Sequence, residues 1–123
     1  MTTVRKPVEV RVSAAVAFGG ALVFFVVGLI LWRTTGDANV LKPPSVVALV
    51  ELPVAAALLL RLRFAHYPAM IVFILIALLH LLIALADGPG WARAASGVLS
   101  AVHLYGVVLL NTGPAREHLG GPR

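Results

Sequence analysis

The sequence predicts an all-α polytopic membrane protein, four antiparallel transmembrane helices in one bundle spanning residues 1–123, with both termini cytoplasmic. Three observations predict it. Of the 123 residues, 60% are hydrophobic and 12% charged, against roughly 45–50% and about 25% in soluble domains, and the mean hydropathy is +0.98. The apolar residues gather into four runs of spanning length. The stretches between the runs are short and carry Gly, Pro, Asn and Asp, which turn a chain.

The first expected helix runs from Ser13 to Trp32, twenty residues without a charge, which matches the roughly 20 residues needed to cross hydrocarbon. Arg5, Lys6 and Arg11 precede it in the manner of a secretory signal. The run is longer than an h-region of about 7–15 residues, and no A-x-A-like site follows, so it reads as a retained helix. The second run, Ser45 to Leu60, contains Glu51 and Pro53 and reaches spanning length only if it extends to Leu62, with Arg61 and Arg63 snorkelling outwards. The third covers 67–86 and the fourth 91–110, with His80, His103 and Tyr105 as their polar exceptions. After the fourth, Asn111 to Pro114 ends the helix, and Arg116, Glu117 and His118 form a short charged tail.

Orientation follows from Lys and Arg, which accumulate on the cytoplasmic side. With the N-terminus inside, the inner face receives Arg5, Lys6, Arg11, Arg61, Arg63, Arg116 and Arg123, and the outer face only Arg33, Lys42 and Arg93. Trp32 and Trp91 then fall at the outer boundary and Tyr67 at the inner one, as an aromatic belt requires. The 63–66 link and Asp87-Gly88-Pro89-Gly90 are so short that helices two, three and four must be sequential neighbours. The longer link, Arg33 to Pro44, is marked as irregular by Gly36, Asn39 and Pro43-Pro44. Small residues, Ala15, Gly19, Gly20 and Gly28 in the first helix and Gly97, Ala101 and Gly106 in the fourth, suit close helix packing, within one chain or in a homodimer.

An ionisable side chain within hydrocarbon costs roughly 2.5–3.5 kcal/mol on insertion scales, so each requires a reason. Glu51 and His80 each lie six residues from the expected outer ends of their spans, roughly 9 Å deep. Ala48 and Ala55 flank the first, and Ala77 and Ala84 the second, so both are expected to face into the bundle as a hydrogen-bonded pair between neighbouring helices. Such a pair reads either as an interhelical clasp or as a proton or ion site; a shorter span in which Glu51 reaches the headgroups is a third reading. Pro53 frees a backbone carbonyl beside Glu51, which adds to the second. His103 is a secondary candidate. Its depth of roughly 18 Å separates it from His80 by some 9 Å, which argues against a shared haem iron and for a hydrogen bond to Ser96 or Ser100.

Other chemistry finds no support. With no Cys there is no disulfide, thiol nucleophile or Cys-ligated metal. No phosphate loop, H-E-x-x-H helix, nucleophile elbow or EF-hand loop occurs. Ser96, Ser100 and His103 lack an acidic partner on their helix. The net charge of +5 is scattered among apolar runs rather than laid out in a stripe, so nucleic acid is not an expected partner. No catalytic residue, cofactor or metal is expected.

Eight Arg against two Lys, abundant Ala, Val, Gly and Pro, and the tail Leu110-Asn111-Thr112-Gly113-Pro114-Ala115-Arg116-Glu117 complete the layout. In that layout the chain resembles the small, uncharacterised four-helix integral membrane proteins of high-GC bacteria. The resemblance covers the whole chain and implies no site. Small multidrug transporters also have four helices, but theirs carry the acidic residue on the first, whereas Glu51 is on the second. The expected role is therefore that of a non-enzymatic accessory or structural subunit of the plasma membrane, whose partners are the lipid bilayer and either a second copy or a larger membrane protein. The alternative is a small oligomeric transporter or channel with Glu51 and His80 on its path.

Overall fold

A computed structural model describes residues 7–61 and 65–120, all of them in helices or the turns between them. Leu62, the expected end of the second span, and Arg5, Lys6, Arg63 and Arg123, counted in the charge bias, lie outside the described residues. The elements are α1 (Val8–Thr35), a 3-10 turn (Ala38–Leu41), α2 (Lys42–Leu59), α3 (His66–Leu85), α4 (Gly90–Leu110) and α5 (Gly113–Gly120). The first four α-helices are long and apolar enough to cross a membrane, counting the 3-10 turn with α2 as 22 residues.

Helix α1 exceeds expectation at both ends. Its 28 residues make a rod of about 42 Å, longer than the roughly 30 Å hydrocarbon core. It stops at Gly36, whose left-handed backbone (φ 73°) lets its N–H bond the carbonyl of Trp32 at 2.8 Å.

The Arg33–Pro44 link is less irregular than expected. Asp37 accepts the N–H of Asn39 and starts the 3-10 turn, which runs straight into α2. Pro43 and Pro44 sit in the first turn of α2 rather than in a loop. First-turn N–H groups have no partner within the helix, so proline loses nothing there and its fixed φ suits the start. The span therefore begins three residues before Ser45 and ends at Leu59, not Leu62. Arg61 follows with a left-handed φ of 54°, and its Nε donates to the carbonyl of His118. The third and fourth helices lie within one residue of their expected bounds.

The tail after the fourth helix is also helical. Thr112 accepts the N–H of Arg116, and α5 buries Ala115 and Leu119 against the cluster that holds Val10, Leu58, Ala69, Phe73 and Leu110. Pro114 in its first turn, read from sequence as a stop, starts the new helix.

The long helices close a ring of interfaces, α1 on α2, α2 on α3, α3 on α4 and α4 on α1, with α3–α4 and α1–α2 broad and α2–α3 slight. The α3–α4 interface is tied in three places. Arg93 Nε donates to Ala84 O (2.9 Å), Ser100 Oγ to Ala77 O (2.8 Å), and His66 Nε2 to Leu110 O (2.8 Å). Phe73 lies where a Cβ on Gly106 would stand, 2.6 Å from its ring, and Pro44 similarly fills the space beside Gly28. Gly19 and Gly97 face open space, so the close approaches run through Gly20, Gly28 and Gly106 instead.

The distribution of polarity is inverted relative to a soluble protein. Leu49, Leu75, Leu82, Val98 and Val108 point outwards, each at least 60% exposed, while Ser13, Glu51, Ser96, Ser100, His80 and His103 are buried.

Candidate functional site

The interior carries one apolar cluster around Phe73, Leu58 and Leu110 and a second around Phe24, Val47, Ile76 and Leu99. Glu51 and His103 fall between the two along α2 and α4. Glu51, His80 and His103 are all fully enclosed, at 0% exposure.

The carboxylate does not pair with His80. Glu51 Oε1 is bonded to Nε2 of His103, on α4. The expectation rested on sequence adjacency, yet α2 leans mainly on α1 and touches α3 only slightly. A long carboxylate and a long imidazole can meet from helices that share no broad interface, provided the helix between them is bare where they cross. Gly20 of α1 provides this: a Cβ there would lie 2.8 Å from Cε1 of His103 and 3.7 Å from Oε2 of Glu51.

The depth assigned to His103 is also corrected. Its ring lies 5.6 Å from that of His80, centroid to centroid, not some 9 Å away in depth. Rise along the helix counts only Cα positions, whereas helical side chains lean toward the N-terminus of their own helix and two long rings close several ångströms. The depth argument against a shared iron thus falls. What remains is occupancy, since both nitrogens of His103 are bonded, Nε2 to Glu51 and Nδ1 to Leu99 O at 2.7 Å. Among the described residues no group of three or more His, Asp or Glu is placed to hold a metal ion.

The expected bond from His103 to Ser96 or Ser100 is absent among the described residues, because Ser100 donates to Ala77 O instead. Glu51 supplies from another helix the acid that α4 lacks, but no serine hydroxyl completes a triad with His103.

A carbonyl can only accept, so Nδ1 of His103 carries the proton it gives to Leu99. Nε2 is then left to share one further proton with Glu51. The pair is net neutral whether that proton sits on the carboxyl or on the imidazole, which suits a site remote from water. His80 stands beside it, its ring centred 4.6 Å from that of Phe24 in an edge-to-face arrangement, and the ring of Phe73 is centred 5.5 Å from that of His103. Neither nitrogen of His80, nor Oε2 of Glu51, has a hydrogen-bond partner among the described residues.

Sequence reading named all three ionisable residues but missed Gly20, Phe24 and Phe73 as their enclosure. Gly20 was legible only as a small residue, and nothing in the sequence assigns it to His103. Comparison with protein families, with curated proteins and with solved structures finds no match for this chain.

Proposed function

We propose that the chain is a multi-pass protein of the plasma membrane, its long helices antiparallel in one bundle and both termini cytoplasmic, acting as a non-enzymatic accessory or structural subunit. The observation that carries this reading is the inverted polarity, with large aliphatic side chains outside and Glu51, His80 and His103 enclosed. Water would make that outer surface an aggregation site, whereas lipid is its natural solvent. The ties from Arg93 to Ala84 and from His66 to Leu110 support antiparallel α3 and α4, since each joins the start of one helix to the end of the other.

In this role the Glu51–His103 bond is a clasp. It joins α2 to α4 through the bundle's interior and fixes how the helices rotate about their axes, while the outward faces remain available to a larger membrane partner. Purification in mild detergent tests it: the chain is expected to leave the membrane with a larger membrane protein in fixed ratio. Recovery as a homo-oligomer that carries ion flux in liposomes, lost in Glu51→Gln, overturns the subunit reading.

That second outcome selects a small oligomeric transporter or channel. One observation favours it. Three enclosed polar atoms, both nitrogens of His80 and one oxygen of Glu51, lack partners among the described residues, and buried polar groups left unpaired cost about 1–3 kcal/mol each unless they serve a purpose.

A further inference from the structure

We propose that an open groove between α1 and α2 binds one acyl chain of an anionic phospholipid, with the lipid phosphate held by Arg11. The inference rests on the membrane reading but not on the role of Glu51. Ala14 and Ala15 of α1 and Ala55 and Ala56 of α2 form the floor, where methyl side chains leave a trough. Phe18, Leu52 and Leu59 form the walls, each at least 40% exposed. The α1 positions are spaced as 11, 14, 15, 18 and the α2 positions as 52, 55, 56, 59, so each set is one helical stripe. Seven residues of rise give the trough a length of about 10 Å, enough to seat the upper part of an acyl chain.

Arg11 is the single charge in the lining. It is exposed, and its guanidinium makes no hydrogen bond or ion pair among the described residues. Glu9, the nearest acid in sequence, is two residues away and so about 200° round the helix, on the opposite side. A phosphate would meet the guanidinium in the two-pronged geometry that arginine favours. A helix of a second copy fits less well, because it would lay apolar surface over a cation for which the lining provides no acid. The chain part of the contact gives no preference among lipids, since hydrocarbon already surrounds the groove. Phosphatidylcholine carries the same phosphate, but its choline cation offsets the charge, so selectivity rests on the net charge that Arg11 meets, and one basic residue near an anionic membrane surface corresponds to about fivefold in affinity.

Native mass spectrometry of the detergent-released protein, given equal amounts of phosphatidylglycerol and phosphatidylcholine with identical chains, reads this directly. The wild type is expected to retain about fivefold more of the anionic lipid, Arg11→Lys to keep most of that preference, and Arg11→Gln to bring the ratio to about one. Ala15→Leu with Ala56→Leu, which fills the floor, is expected to lower retention of both lipids while helical content by circular dichroism is unchanged. A wild-type ratio near one, or a preference untouched by Arg11→Gln, overturns the proposal. So does a dimer lost on filling the floor with no lipid retained, which assigns the groove to a second copy. Recovery of the chain from cells as a soluble protein without detergent is a separate outcome, defeating the membrane reading and the lipid site with it.

Discussion

A carboxylate enclosed among helices is tolerable when another group shares its proton, and His103 does so for Glu51. A double-mutant cycle in detergent, read by thermal unfolding, is expected to give a coupling of about 0.5–2 kcal/mol between Glu51→Gln and His103→Ala. Glu51→Gln and His80→Ala should couple more weakly, because no bond joins them and they communicate only through the ring of His103. Gly20 offers a second measurement with an internal control. Alanine favours a helix over glycine, and Gly19→Ala meets open space, so it is expected to be neutral or mildly stabilising. Gly20→Ala drives a methyl against His103 and should cost about 1–3 kcal/mol. The identity of the polar residues was plain in the sequence because each interrupts an apolar run. Their pairing was not, because adjacency along the chain points α2 to α3, whereas the bond runs to α4 through a gap that one missing side chain leaves open.

Among elements, legibility followed how strongly the chain itself punctuates. The Asp87-Gly88-Pro89-Gly90 turn fixed the facing ends of α3 and α4 to within a residue. Proline misled at the start of α2, where Pro43 and Pro44 lie in its first turn, since it stops a helix from within but opens one from its first turn. The same misreading at Pro114 hid α5. Ending the chain at Thr112 is expected to lower unfolding stability by about 2 kcal/mol, the burial of roughly one leucine, because Leu119 and Ala115 leave the cluster around Leu58 and Leu110. A thermal scan of the truncated and full chains in the same detergent measures it. An unchanged midpoint would mean that α5 only rests on the bundle.

At the scale of the whole molecule, the all-α class and its four long helices were legible because four apolar runs of spanning length divide the chain. Orientation is testable without removing any native residue, because the chain has no Cys. Asp87→Cys is expected to react with a membrane-impermeant maleimide on intact cells, and Glu117→Cys only after lysis. The opposite labelling would reverse the proposed orientation. The packing of α5 has a consequence for how the protein is made. Its contacts reach α1, α3 and α4, and it is the last described stretch to leave the ribosome. The four long helices precede it in the chain, so the apolar cluster at that end of the bundle stays open during synthesis until Ala115 and Leu119 have emerged and α5 has docked.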